Sequence, residues 1–305
     1  MIKSLARRAF HTSGAVRAVR WFHRKRMRIL MYHRFSDRDA LVTQCAHIRA
    51  NYQPVSLTQA ADWLLCGGGW PDNAIVVTVD DGYRDFYEVA YPVFREYGIP
   101  ATVYLVNEFL DGREWLWGDR VRWAYLRTAS QEGTREQRLK AARVAIEAAK
   151  QMPNQDRLAW LDQLPGELGL DLPEQAPPEY APLSWDQVRE AAQGGIEFGA
   201  HTCTHPILSM VAGDRELTGE IAGSKRRIEE QLCRAVDHFC YPNGSLRDFN
   251  ASAVQAVRAA GYRTAVTTVP GTISVSAELL RLPRIGVEPG LEERYFAECV
   301  TGFRS

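Results

Sequence analysis

The sequence lacks any long apolar run. Its purely apolar stretches are only a few residues long, whereas a membrane-spanning helix needs about 20 such residues. Arginines interrupt the N-terminal segment throughout, so the apolar stretch of roughly 7–15 residues that a secretory signal requires is missing as well. We therefore expect a protein without a membrane span or an export signal, located in the cytoplasm.

Closely paired cysteines are also missing. The six cysteines form no Cys-x-x-Cys pair, and their spacing is typical of neither a zinc ribbon nor a disulfide scaffold. The even number leaves disulfides open, but reduced thiols fit better with a chain of this size that has no export signal.

The chain has no net charge, because 37 Lys and Arg residues balance 37 Asp and Glu residues. This balance argues against nucleic acid as a partner. It also hides a basic N-terminal extension, residues 1–28, which contains nine Lys or Arg residues and no acid. Aromatic and aliphatic side chains accompany these arginines, so the extension is either a solvated tail or a peripheral helix on an anionic membrane.

Residues 29–305 have the rhythm of an α/β fold. Short β-rich runs alternate with amphipathic helical patterns, which predicts right-handed βαβ units and a parallel sheet, as a barrel or an open doubly wound sheet. Seven strands are predicted, several of them nearly all apolar as in strands buried on both faces: Ile29–His33, Ala74–Asp80, Ala101–Val106, Gly195–His201, His238–Pro242, Tyr262–Thr268 and Leu280–Val287.

Residues of about 111–182 break this rhythm. They contain four tryptophans and several helical patterns, of which Thr134–Lys150 is the clearest, and they end in a proline-rich stretch. We interpret them as a helical insertion on a loop of the 29–305 domain. The pattern favours equally a lid over a site and a structural buttress.

Two segments carry residues suited to chemistry at the ends of predicted strands. In the first, Asp80 and Asp81 follow an apolar strand and Gly82 allows a sharp turn. Two adjacent carboxylates repel each other unless a cation or a proton lies between them. An Asp-Gly turn without any ligand is the simpler alternative.

In the second segment, His201 and His205 lie four residues apart after another apolar strand. Two imidazoles at this spacing can converge on one metal ion, although they can also be ordinary surface histidines. Because both segments end strands, a carboxylate and two imidazoles would form a facial ligand set with open positions.

These motifs together resemble the polysaccharide deacetylases, the group with the NodB homology domain (carbohydrate esterase family 4). The segment 78–82, Thr-Val-Asp-Asp-Gly, resembles the first motif of that family, and 201–205, His-Thr-Cys-Thr-His, resembles the second. The segment 239–244, Phe-Cys-Tyr-Pro-Asn-Gly, is similar to the third motif. The resemblance covers most of residues 29–290 and implies a distorted (β/α)7-type barrel.

The resemblance also implies a set of roles. Asp81, His201 and His205 would hold a divalent metal, most simply Zn²⁺ with Co²⁺ or Ni²⁺ as alternatives, and Asp80 would be the general base. The backbone N–H of Tyr241, in the third motif, would stabilise the oxyanion of the intermediate.

The sequence departs from the family pattern at two positions. Cys240 occupies the place of the third-motif arginine that orients the base, and Arg284, at the end of the last strand, is the candidate replacement unless it forms only a rim salt bridge. The usual C-terminal histidine is missing, and His33, at the end of the first strand, is the candidate general acid in a circularly permuted arrangement. Its alternative role is to cap that strand.

The expected activity is metal-dependent removal of N-acetyl groups from amino sugars of a polysaccharide or of its lipid-linked or nucleotide-linked precursor. Two other functions remain open at this point. One is a carbohydrate-binding protein that has lost catalysis, which the cysteine at position 240 suggests. The other is a deacylase of a non-sugar amide on the same fold.

Overall fold

Eight parallel strands form the sheet at the centre of the computed structural model, which describes residues 14–128 and 133–302. Seven of them close into a barrel in the order β1-β3-β4-β5-β6-β7-β8, because β1 pairs with both β3 and β8. The two-residue strand β2 pairs with β3 outside this ring. The strands are β1 Arg28–Tyr32, β2 Gln53–Pro54, β3 Ala74–Val79, β4 Ala101–Leu105, β5 Glu197–Ala200, β6 His238–Cys240, β7 Thr264–Pro270 and β8 Leu282–Gly286.

Helices surround the barrel in the alternation that the sequence predicts. The α-helices are α1 Ala15–Phe22, α2 Arg38–Asn51, α3 Leu57–Leu65, α4 Tyr91–Glu96, α5 Asn107–Leu110, α6 Trp117–Arg127, α7 Arg135–Ala149, α8 Asn154–Glu167, α9 Trp185–Gln193, α10 Asp214–Leu232, α11 Ala251–Ala259 and α12 Glu293–Cys299. A π-helix, Phe86–Ala90, precedes α4. The expected α/β fold with a (β/α)7-type barrel is confirmed.

Local sequence signals fix several helix starts. Ser56, Thr134 and Ser184 each accept a hydrogen bond from the backbone of a residue three positions later, a glutamine whose side chain bonds back to the cap. This reciprocal capping box satisfies two donors that have no partner inside the helix. The predicted helix 134–150 therefore begins and ends within one residue of α7.

The strands of the barrel bury mostly apolar side chains, together with some polar ones such as Thr78, His238 and Arg284. All six residues of β3 and all five of β4 are buried, which is why these strands have near-continuous hydrophobic sequences. The carboxyl-terminal ends of these strands lie at one face of the barrel. Active sites form at this face in barrels of this kind.

The predicted insertion is helical and lies between β4 and β5. It contains α6, α7 and α8, and within it the ring of Trp115 packs edge-on against that of Trp123 in α6. Its far end is tied to the loop after β3, because Leu183 N–H donates to the Gly82 carbonyl (2.9 Å) and Arg84 N–H to that of Ala181 (2.9 Å).

The N-terminal extension ends earlier than the predicted boundary at residue 28. Arg28 is fully buried as the first residue of β1, and its guanidinium donates to the carbonyls of Val300 (2.8 Å) and Thr301 (3.1 Å). Part of the extension is the helix α1, and its first 13 residues lie outside the described part of the chain. None of the described helices has the length and apolarity needed to cross a bilayer.

Candidate metal centre and catalytic cleft

Asp81, His201 and His205 meet at the carboxyl-terminal face of the barrel. The Oδ1 atom of Asp81 lies 3.4 Å from His201 Nε2 and 3.5 Å from His205 Nε2, and the two Nε2 atoms are 3.2 Å apart. Ligand atoms about 2.1 Å from one tetrahedral ion are about 3.4 Å apart. The three side chains therefore fit a single divalent ion without rearrangement.

The backbone at these residues adopts the left-handed conformation. Asp81 has φ 76°, Thr202 φ 68° and His205 φ 59°, in a region that residues other than glycine rarely occupy and that is unusual for a β-branched threonine. Gly82 also has φ 80°, and a Cβ atom there would lie 3.0 Å from Leu105 Cδ2. Sharp turns directly after β3 and β5 thus aim the ligands into one mouth, the kind of local strain found at functional sites.

Hydrogen bonds orient the histidine ligands from behind. The Nδ1 atom of His201 is 2.7 Å from the Cys240 carbonyl oxygen, which leaves its Nε2 atom facing the cluster, as in the carboxylate- or carbonyl-supported histidines of metal sites. Burial and the charge of His201 lower the pKa of His205 to about 3, so its imidazole is neutral and able to act as a ligand.

A buried carboxylate holds the loop between the two histidines. Glu220 of α10 accepts hydrogen bonds from the backbone N–H groups of Cys203 (2.9 Å) and Thr204 (3.0 Å) and from the Thr204 hydroxyl (2.7 Å). The Cys203 thiol points away to the Gly219 carbonyl (3.5 Å). Cys203 is therefore a packing residue, whereas Glu220 supports the loop between the two histidines, a role that the sequence did not reveal.

Asp80 lies beside this cluster and is bound by Arg284. Both guanidinium Nη atoms lie 2.7 Å from a carboxylate oxygen of Asp80, and Arg284 also donates to the Thr267 carbonyl (2.8 Å). Burial alone would raise the pKa of Asp80, but the charge and hydrogen bonds of Arg284 lower it below its ordinary value. Arg284 is fully buried, so it is not a rim salt bridge.

Cys240 completes the surroundings of this ion pair. Its Sγ atom is 3.2 Å from Arg284 Nη2 and 3.5 Å from Asp80 Oδ2. Cys240, at the third-motif position on β6, therefore contacts Asp80 directly. The positive charge beside Asp80 comes instead from Arg284 on β8.

His33 also lies at the cluster. Its Nε2 atom is 3.7 Å from Asp80 Oδ2, and 45% of its side chain is exposed to the cleft. The chain order thus brings the end of β1 beside the end of β3, because these two strands pair over their whole length. A partly exposed imidazole is accessible to a substrate in a way that the buried ligands are not.

The expectation for Tyr241 is not supported. Its backbone N–H donates to the Val266 carbonyl (3.2 Å), and its buried ring stacks on Phe249. The N–H is thus part of the β6–β7 hydrogen bonding and does not face the cleft.

Asn243, two residues later, reaches the cleft instead. It lines the same cavity as the metal cluster, and its Nδ2 atom is buried without a hydrogen-bond partner in the described part of the chain. Its left-handed backbone (φ 57°) is fixed by the Thr268 hydroxyl, which donates to the Asn243 carbonyl at 2.7 Å. Sequence reasoning missed this residue, although it lies within the third motif.

The cleft has a volume of about 420 Å³, within the usual range of small-molecule sites. The Asp81–His201–His205 cluster forms its floor, and the insertion forms one wall through Trp117 and Arg122 of α6, Arg143 of α7 and Lys150 directly after α7. The indole Nε1–H of Trp117 donates to the His205 carbonyl at 3.1 Å. The insertion is therefore a wall of the cleft and also holds the backbone of His205, a candidate ligand.

Comparison with known proteins agrees with this geometry. The sequence profile of the polysaccharide deacetylases matches residues 68–265, which is most of the chain. The chain belongs to the polysaccharide deacetylase family. The matched segment includes the three motifs around Asp80, His201 and Cys240, while the strands carrying His33 and Arg284 lie outside it.

Individual relatives are distant. YxkH of Bacillus subtilis, which is named for the polysaccharide deacetylases, is 22% identical over 284 residues, covering 90% of this chain and 76% of its own. The poly-β-1,6-N-acetyl-D-glucosamine N-deacetylase of Escherichia coli K12 is 38% identical over 74 residues, 24% of this chain and 11% of that protein. The structure of the Streptococcus pyogenes deacetylase PplD has the same fold, with a TM-score of 0.62 at 20% identity over 90% of this chain and 98% of that one.

Proposed function

We propose that this protein is a metal-dependent hydrolase that removes N-acetyl groups from amino sugars of a polysaccharide or its precursor. The observation that carries the proposal is the placement of Asp80, anchored by Arg284, directly beside the Asp81–His201–His205 cluster at the floor of an open cleft. A hydrolase of this kind needs a metal ion and a base at one carbonyl carbon.

The donor set favours Zn²⁺, with Co²⁺ or Ni²⁺ as alternatives, because one carboxylate and two imidazoles suit these borderline ions and leave positions open. A divalent ion held by these residues would polarise the acetyl carbonyl and lower the pKa of the attacking water.

The side chains of this protein supply the proton transfers in our proposal. Asp80 accepts a proton as water attacks the acetyl carbon, and Arg284 holds the carboxylate in one orientation and keeps it ionised. His33 donates a proton to the amine as the carbon–nitrogen bond breaks, so that acetate and a free amino sugar result. Asn243 donates a hydrogen bond to the oxygen on which negative charge develops.

A carbohydrate-binding protein without catalysis is the weaker alternative. It was suggested by the cysteine at position 240, but the guanidinium of Arg284 occupies the place that the missing arginine leaves. A protein that only bound sugar would have no need of a base held beside the metal ligands. A deacylase of a non-sugar amide would use the same residues and is separated by its substrates alone.

Acetate release with metal-loaded protein tests the proposal. We expect release from N-acetylhexosamine oligomers or precursors, abolished by chelation and by Asp80→Asn, while Asp80→Asn still binds one metal ion per chain. The matched variant Asp81→Asn should lose the metal itself. Fully loaded protein that releases no acetate from any N-acetylhexosamine, but cleaves a non-sugar amide, would favour the alternative deacylase.

We propose the cytoplasm as the location, because the six cysteines are all free thiols and reduced thiols are usual in that compartment. A precursor made inside the cell then fits better than a finished wall polymer as substrate. Fractionation of cells that produce the full chain tests this, since recovery outside the cytoplasmic membrane would contradict it.

A further inference from the structure

The helix α1 exposes two large aromatic side chains next to each other. The exposed fraction is 64% for Trp21 and 76% for Phe22, whereas Val16 on the other side of the helix is buried against the body. Adjacent large apolar side chains that are exposed to water often mark a surface that binds a partner or a membrane. We call Arg17, Trp21, Phe22, Lys25 and Arg26 the α1 surface.

Three exposed cationic side chains lie within five residues of Trp21 in the sequence. The side chains of Arg17, Lys25 and Arg26 are exposed, and in the described part of the chain no acidic side chain pairs with Arg17 or Arg26. Lys25 shares Asp72 with Arg24 (2.7 and 3.2 Å). The first acidic residue of the sequence is Asp37, so the α1 surface and the segment before it have a strong positive charge.

The α1 surface lies at the end of the barrel opposite the cleft. Asn73 N–H, just before β3, donates to the Arg24 carbonyl at 2.7 Å, and Arg20 bonds the side chain of Asn51, just before β2. Strand β1 then runs from this end toward the metal cluster over five residues, or about 16 Å. A partner on the α1 surface would therefore leave the cleft open.

We propose that the α1 surface docks on an anionic lipid bilayer. Trp21 and Phe22 enter the boundary between headgroups and acyl chains, where amphipathic aromatic rings are most stable, and the cations contact the anionic headgroups. Charge complementarity selects this occupant, because a second copy would bring the same positive surface against itself.

Together with the function proposed above, on which this step rests, the orientation has a consequence for the substrate. With the α1 surface on the bilayer, the mouth of the cleft faces water at the far side of the barrel. The protein would then act on sugar units that extend away from the membrane surface, and not on a unit held close to its lipid anchor.

Vesicle sedimentation of the full chain tests the docking. We expect binding to phosphatidylcholine vesicles that contain phosphatidylglycerol and little binding to pure phosphatidylcholine. The W21S/F22S variant should bind at least ~10-fold more weakly, because its aromatic area no longer enters the interface. Each cation removed in R17A/R26A should weaken binding about fivefold, and added salt should reduce the difference.

Matched controls use the same changes at exposed positions outside the α1 surface. Leu246 has an exposed fraction of 71%, and Arg234 and Arg247 are exposed without an ion pair in the described residues. We expect L246S and R234A/R247A to bind like the parent, with thermal unfolding showing that every variant is folded. Equal binding to both lipid compositions, unchanged binding of W21S/F22S, or a dimer that W21S/F22S dissociates would overturn the proposal.

Discussion

Arg284 and Asp80, 204 residues apart in the chain, form a two-pronged ion pair inside the barrel, with both Nη–Oδ distances at 2.7 Å. The pair joins the last strand of the barrel to the strand that carries the first motif. It makes the ionised state and the orientation of Asp80 depend on a residue outside the matched family segment.

Removal of this arginine should affect both stability and catalysis. Arg284→Met leaves the buried Asp80 carboxylate without its partner, and we expect a loss of about 3–5 kcal/mol in the free energy of unfolding, together with loss of acetate release. Denaturant unfolding and acetate assays at saturating metal measure the two effects. The control is Arg281→Met, since Arg281 forms an exposed pair with Glu278 at 3.3 Å and should change stability by less than about 1 kcal/mol. Equal effects of both variants would contradict the assigned role of Arg284.

The position of Cys240 provides a second, sharper test. Cys240→Arg restores the family residue but places a second guanidinium in a site that Arg284 already fills, so the single variant should be destabilised by several kcal/mol, about 3 or more. In the Arg284→Ala background the same change has both space and a carboxylate to bind. We therefore expect a favourable coupling energy above about 1 kcal/mol between the two changes.

A double-mutant cycle, measured by unfolding and by acetate release, gives that coupling. Cys240→Ser is the matched control, because it keeps the volume and should show little coupling to Arg284→Ala. Additive effects of Cys240→Arg and Arg284→Ala would mean that the two positions do not share one role.

Asn243 is expected to act through its side chain. Asn243→Gly keeps the left-handed backbone and removes only the amide, so that it should lower kcat about 100-fold if Nδ2 donates to the developing oxyanion, with KM within a few fold. Asn73 has the same φ of 57° at the opposite end of the barrel. Asn73→Gly is therefore the matched control and should keep the parental kcat. An Asn243→Gly variant with parental kcat would exclude the side chain from the reaction.

The sequence predicted that Asp81, His201 and His205 lie close together, because Asp81 and His201 follow apolar strands within two residues and His205 lies in the loop after His201. Parallel strands end at one face of a barrel, so the position of His33, directly after β1, follows from the same reasoning, whereas Arg284 is the middle residue of β8 and reaches Asp80 from inside the barrel. The prediction that the Tyr241 N–H faces the cleft was wrong, because the sequence does not show which N–H of a short motif donates to the neighbouring strand. Asn243 reaches the cleft because its backbone has a left-handed conformation (φ 57°). The sequence does not predict that conformation at a residue other than glycine.

Two elements of the fold left weak signals for a different physical reason. Strand β2 has two residues, too few to show alternation. Helix α2 buries Gln44, whose amide accepts from the Tyr32 hydroxyl (2.8 Å) and donates to the Glu288 carbonyl (2.8 Å). A polar residue on the core face interrupts the apolar period by which a helix is recognised.

The insertion should tune the metal site through Trp117. Trp117→Phe removes the Nε1–H that holds the His205 carbonyl but preserves a large aromatic ring, and we expect Zn²⁺ affinity to fall about tenfold, the low end for residues that support a ligand. Trp123 lies on the same helix, and its Nε1 is buried without a hydrogen-bond partner in the described residues. Trp123→Phe therefore removes a ring of the same size without removing such a bond. Competition with a chelator measures Zn²⁺ affinity in both variants, and thermal unfolding without metal shows whether either change disturbs the fold. Equal losses of Zn²⁺ affinity in both variants would mean that the insertion affects the site only through general packing. A selective loss in Trp117→Phe would mean that the insertion supports the metal site directly.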